Sequence, residues 1–233
     1  MLFDLFSGTL TFQSAVAQVL AILIIIFLIL PFHEWAHAFV AYKCGDTAIK
    51  YRGRLSLNPI EHIDLFGALC LLLVGFGWAK PVPVNTRNFR NPKRDIVLCA
   101  LAGPMANIVA AFVGALILQT VYFFAYGFLI TNVIGKILYS FLIYYIYVNI
   151  GLAVFNLIPV PPLDGSKILL NFLPYNALAW IDKNYQIIRI ILIGVLFSGY
   201  LDRPINLLSD LIFNGILWFT GLPFDAISLI MGA

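Results

Sequence analysis

Ile29-Leu30-Pro31-Phe32-His33-Glu34-Trp35-Ala36-His37-Ala38-Phe39-Val40-Ala41-Tyr42 closes a long apolar run, and its His-Glu-x-x-His spacing governs how the rest of the chain is read. On a helix, His33 and His37 stand one turn apart on one face, with Cβ atoms about 6 Å apart. Two imidazoles so placed can take two corners of a tetrahedral zinc site. Glu34, about 100° round the helix from His33, can then serve as general base toward water. The ordinary alternative is three packed polar residues. Against it, the chain holds only three His and two Glu, so composition rarely produces this pattern. The setting adds weight. Ala15 to Leu30 is almost entirely apolar, so three ionisable groups fall inside what reads as a membrane helix, where they are costly and mark function.

Composition agrees with a membrane setting. Of 233 residues, 62% are hydrophobic and 11% charged, more apolar surface than a soluble domain can hide. The net charge of +3 is too small to point to nucleic acid. Cys44, Cys70 and Cys99 are widely spaced and form neither a disulfide framework nor a CxxC metal pair. No Lys or Arg precedes the first apolar run, so the basic start of a cleaved signal peptide is missing and that run is expected to stay. The expected fold is an all-α polytopic membrane protein with about five to six hydrophobic helices. A single domain over residues 1–233 is expected, with a core at about 14–175 and hydrophobic C-terminal helices at about 185–221.

In chain order, Met1 to Gln13 is expected along the interface, and a spanning helix runs from Ser14 to about Lys43, closed by Gly45. The stretch from Lys43 to Asp95 holds nine of the fourteen basic residues. Inside it lies the short apolar run Leu65 to Ala79. Were this run to cross, its basic flanks would sit on opposite sides, against the positive-inside tendency. A re-entrant segment between the first and second full spans is therefore expected, with both flanks cytoplasmic. Pro81 to Asn85 should be extended. Spans follow at Ile96 to about Tyr126, with Pro104 bending or starting the helix, and at Phe128 to about Leu157. Lys167 to Leu173 is a candidate short helix, and Tyr185 to Leu201 and Ile205 to Gly221 are hydrophobic helices of undetermined depth.

With the basic loop cytoplasmic, the first span runs inward, the second returns and the third runs inward again, so His33 and His37 are expected in the cytoplasmic third of the bilayer, and Asp164 follows a helix arriving at that side. Two histidines leave a catalytic zinc one protein ligand short. Asp4 and Asp225 are terminal, and Asp46, Asp95, Asp182, Asp202 and Asp210 sit beside spans without other unusual features. Asp164 alone sits at the foot of a span in a backbone locked by Pro159, Pro161 and Pro162 and released by Gly165. A turn-forming Asp before Gly is the ordinary reading of such a residue; its place opposite the histidines favours a ligand.

At this point the residues resemble a known family. His33-Glu34-x-x-His37 and Asn156-x-x-Pro159-x-Pro161-x-Leu163-Asp164-Gly165 look like the two signatures of the site-2 proteases, the zinc intramembrane metalloproteases. Gly53 to Pro59, Ala79 to Asn85 and Ala102-Gly103-Pro104 extend the likeness toward the compact bacterial and archaeal subgroup, over about residues 20 to 175. The resemblance implies a multi-pass protein of a bacterial or archaeal cell membrane that binds one zinc per chain and cleaves transmembrane protein substrates. It implies His33, His37 and Asp164 as ligands, Glu34 as base, and Asn156 orienting substrate or steadying an oxyanion. Nothing in the chain resembles a PDZ module or an appended nucleotide-sensing domain.

Three points stay open at this stage. Pro81 to Asn85 could pair with an unwound substrate strand or simply be a loop set by its prolines. His62 could be a fourth ligand or proton shuttle, although a lone His near a bilayer surface is more often structural. The rival function is zinc binding without hydrolysis, as a pseudoprotease or a metal carrier. A carrier needs ligands but no adjacent base, so the intact Glu34 favours an enzyme. A secondary transporter would favour inverted repeats, which are not evident.

Overall fold

A computed structural model describes the backbone of residues 12–74 and 77–231. Of the stretch from Met1 to Gln13 expected along the interface, only Phe12 and Gln13 fall among the described residues, and they open the first helix. The regular elements of the described residues are all helices, and their only β pairing is one isolated antiparallel bridge.

Helix α1 (Phe12–Ile24) runs through a π-helical turn (Ile25–Ile29) into α2 (Leu30–Cys44). Pro31 accounts for this turn. A proline within a helix cannot donate its backbone bond, and its ring crowds the carbonyl four residues back. Widening the preceding turn relieves both problems, and Leu30 N–H accordingly reaches back five residues to Ile25 O. The wide turn lies immediately before the two histidines. Gly45 ends α2 with φ of 126°, a conformation that favours glycine.

Short helices α3 (Ala48–Tyr51), α4 (Pro59–His62) and α5 (Leu65–Val74) follow. Ile63 pairs antiparallel with Ala79, and Lys80 N–H donates to His62 O at 2.7 Å. Both ends of the apolar run are thereby held side by side. A 3-10 turn (Thr86–Asn88) leads to α6 (Pro92–Thr131), α7 (Val133–Asn156) and α8 (Asp164–Leu170). Helices α9 (Tyr175–Lys183), α10 (Tyr185–Phe197) and α11 (Asp202–Met231) complete the chain.

Among the described residues, three helices are long and apolar enough to cross a membrane: Ser14–Cys44, Pro92–Thr131 and Val133–Asn156, or four if α10 and α11, bent by 75°, make one span. Five to six hydrophobic helices were expected from sequence; three or four candidate spans are found among the described residues. The 10 residues of α5 rise only about 15 Å, half a hydrocarbon core. Pro104 neither starts nor breaks α6; the only non-helical backbone inside it is at Ala125.

In lipid, close packing and polar contacts hold helices together rather than hydrophobic exclusion. Small residues do this between α6 and α7, where Ala111 and Ala115 meet Leu142, Ile146 and Ile150. Gly114 lies so close to Tyr145 that an added Cβ would sit 2.7 Å from its ring. Ile216 of α11 joins the same cluster. A second cluster packs Ile22, Ile25, Ile26 and Ile29 against Ala110 and Leu71. A third, with Ala38, Ala41 and Cys44 against Cys99, sets α2 against the N-terminal half of α6.

Candidate metal centre

Helix α6 orients both imidazoles. His33 Nδ1 lies 3.1 Å from Asn107 Oδ1, and His37 Nδ1 lies 2.7 Å from the Cys99 carbonyl. Each Nδ1–H donates to an oxygen of α6, which leaves each Nε2 as a bare acceptor. The two Nε2 atoms are 3.1 Å apart. Asp164 Oδ2 completes the triangle, 3.3 Å from His33 Nε2 and 3.0 Å from His37 Nε2. All three residues are buried.

Gly103 makes room for this convergence. A Cβ there would overlap both Nε2 atoms. Gly165 has a comparable role for the third group, because a Cβ there would overlap the Leu157 carbonyl. Without one, the start of α8 folds back on the end of α7 and brings Asp164 under the histidines.

The Asp164 carboxyl is held ionised. Burial alone would raise its pKa, but its polar and charged neighbours, the Lys167 ammonium among them, outweigh that and hold it well below the usual carboxylate range. Lys167 Nζ donates to the other oxygen, Oδ1, at 2.7 Å, which turns Oδ2 toward the histidines. Two imidazole lone pairs and a carboxylate oxygen facing one point repel one another unless a cation sits among them. The donor set fits zinc: nitrogen and oxygen ligands, three from the protein, with Nδ1–H partners that fix each ring.

Glu34 stands beside this cluster and is itself anchored. Its Oε2 accepts the Val82 N–H at 3.0 Å. The backbone donors of the extended segment are all engaged: Lys80 with His62 O, Val82 with Glu34, and Val84 with Val82 O. Pro81 and Pro83 have none to give. Pairing with a substrate strand is therefore left with carbonyls only, while the segment itself forms a strap bonded to Glu34. The strap is tied down at Pro83 O by Arg52, and beyond it buried Asp46 accepts the Asn85 N–H at 2.7 Å.

Two sequence candidates stand apart. Asn156 Nδ2 donates back to Leu152 O at 3.0 Å, within its own helix. His62 is fully buried with Nε2 on the Ser56 carbonyl at 2.7 Å, and it is outside the cluster. Sequence reasoning missed Asn107, the Cys99 carbonyl, Lys167 and Val82. Asn107 had a signal, a polar amide in an apolar helix. The two backbone groups had none.

Comparison with known proteins gives a consistent picture. Residues 127–198 match the model of peptidase family M50, a stretch containing Asn156 and Asp164. "Putative zinc metalloprotease YwhC" of Bacillus subtilis is 46% identical over 153 residues, 65% of this chain and 69% of that protein. Rip2 of Mycolicibacterium smegmatis, under the same description, is 31% identical over 139 residues, covering 57% of this chain but only 49% of Rip2. MJ0611 of Methanocaldococcus jannaschii is 30% identical over 142 residues, 59% of this chain and 63% of MJ0611. No solved structure matches the chain. With a metal-ligand cluster joining two helices of a membrane fold, and identity extending over two thirds of a relative, the chain belongs to peptidase family M50, the site-2 protease family of zinc metalloproteases.

Proposed function

We propose that this protein is a zinc-dependent endopeptidase that hydrolyses peptide bonds within transmembrane segments of other proteins, near their cytoplasmic ends. The observation that carries the reading is the convergence of His33 Nε2, His37 Nε2 and Asp164 Oδ2 beside an anchored carboxylate, Glu34. Zinc held by those three atoms would supply a Lewis acid for the scissile carbonyl and make water acidic enough to attack near neutral pH.

The chain's own residues do the rest. Val82 N–H fixes Glu34 Oε2, so Oε1 is the oxygen that takes the proton of the attacking water. Glu34 later returns that proton to the leaving amine. Asn107 and the Cys99 carbonyl keep the imidazoles from turning. A scissile bond inside a helix is shielded by its own hydrogen bonds, so the substrate must unwind locally before it reaches Glu34. Asn156 could act on substrate through its second amide N–H or its carbonyl while keeping the bond to Leu152.

The basic loop supports a cytoplasmic site. His33 lies about 16 Å from the Cys44 end of its helix, the end beside that loop. The pairing of Ile63 with Ala79 favours a Leu65–Ala79 segment that enters and leaves on one side. Single cysteines replacing Arg52 and Arg90 in a cysteine-free background should both react from the cytoplasmic face; reaction from opposite faces would make the segment a span.

The function itself is tested with purified protein and a transmembrane substrate carrying Gly or Asn near its cytoplasmic end, where helix breakers ease unwinding. Cleavage should map to that end by mass spectrometry, stop on chelation and return with zinc. Cleavage that survives complete zinc removal would refute the proposal.

A further inference from the structure

Helix α11 carries Asp210 where a membrane protein can least easily keep a carboxylate. Asp210 accepts a hydrogen bond from Tyr147 Oη at 2.9 Å, and the Tyr147 and Phe213 rings pack 5.9 Å apart. Tyr147 fixes the depth of this contact. It lies in α7 about 21 Å along the axis from Val133 and about 14 Å from Asn156, close to mid-span. The Asp210 carboxylate is nevertheless exposed, flanked by Leu207 and Leu211, each 71% exposed.

Asn206, Asp210 and Asn214 are spaced one turn apart, all exposed, and form a polar stripe; past the charged start of the helix at Asp202 and Arg203, its other exposed residues are apolar. No Lys, Arg or His among the described residues forms an ion pair with Asp210. Residues 1–11, 75–76 and 222–233 contain no basic residue to do so. Room exists beside the stripe. Gly151, one turn from Tyr147, and Gly215, next to Asn214, have nothing within 4 Å of an added Cβ.

An ionisable group at this depth, facing outward, needs a partner that donates to it. We infer that the face formed by Tyr147 and Gly151 of α7 with Asn206, Asp210 and Asn214 of α11 receives a transmembrane helix of another protein. That helix carries a lysine or arginine near its midpoint. A second copy of this chain does not offer one, because the basic residues of its hydrophobic helices lie toward the helix ends, at Lys43, Lys93, Arg94, Lys136, Arg189 and Arg203. The inference does not rest on the proposed protease activity; the metal centre plays no part in it.

The test uses the full-length Glu34→Gln protein, so that no peptide is cut, labelled for energy transfer in phosphatidylcholine vesicles. Synthetic polyleucine spanning peptides with either leucine or a single lysine at the centre are added. The lysine peptide should associate at least tenfold more tightly than the leucine peptide. Asp210→Leu should abolish the difference, and Asp210→Asn, which keeps the shape and the Tyr147 contact, should remove most of it. Zinc content should be unchanged in both variants, which reports that the fold is intact. Equal association of the two peptides, or a lysine preference that persists in Asp210→Asn, would overturn the inference.

Discussion

Glu34→Gln should keep its zinc and bind a transmembrane substrate, yet lose about 10²–10⁴-fold in turnover, the usual worth of general-base assistance. Glutamine matches glutamate in size and can still accept the Val82 N–H, so the anchoring contact survives while the basicity does not. The effect should fall on kcat, with KM little changed, because the side chain is needed only as the proton moves. A metal carrier or pseudoprotease would not register the change. Val82→Pro is the graded counterpart. It deletes the one backbone donor that fixes Glu34 and should cost roughly tenfold in turnover, the scale of a hydrogen bond to a charged group. Val82→Ala keeps the N–H and should behave as wild type. Equal turnover in all four proteins would remove Glu34 as the base.

The second large effect is on the metal. Gly103→Ala puts a methyl where both histidine Nε2 atoms converge, so zinc occupancy measured by mass spectrometry of the metal should collapse. Asp164→Ala removes one of three ligands and should weaken zinc binding by more than about 100-fold, whereas Asn107→Ala, which frees the His33 ring, should cost about 10–100-fold. Normal zinc content in Gly103→Ala would mean that the ion sits elsewhere.

Those residues differ in how readily the sequence reveals them. His33, Glu34 and His37 are legible because their spacing follows helical geometry, and Asp164 because prolines and a glycine mark an unusual backbone at the foot of a span. The Cys99 carbonyl and the Val82 N–H are not, since a backbone group acquires a role only when another element arrives beside it. Gly103 reads as an aid to helix packing; its actual neighbours are the two imidazoles, which depend on how α2 crosses α6. At Pro104 a bend or a helix start was expected; the helix starts earlier, at Pro92, and its backbone stays helical through Pro104. At Pro31 the same kind of residue produces a π turn instead. The extended run after Ala79 follows from its prolines, yet the assignment of every donor within it required the surrounding loops.

The order of the last two helices shows the same limit. Both were legible as hydrophobic segments, but their 75° bend and the seating of Ile216 among α6 and α7 residues are tertiary facts. Asp210 is unremarkable in sequence, one acidic residue beside a span. Only contact with Tyr147 reveals its depth.

The central claim is that one ion is held by His33, His37 and Asp164. X-ray absorption at the zinc edge of the purified protein tests it most directly. About one zinc per chain should be found, with two imidazole nitrogens and oxygen in its shell and no sulfur, and Asp164→Ala should lose the ion or change its oxygen shell. Sulfur at the zinc, which would implicate Cys99 or Cys44, or a spectrum unaltered by Asp164→Ala, would contradict it.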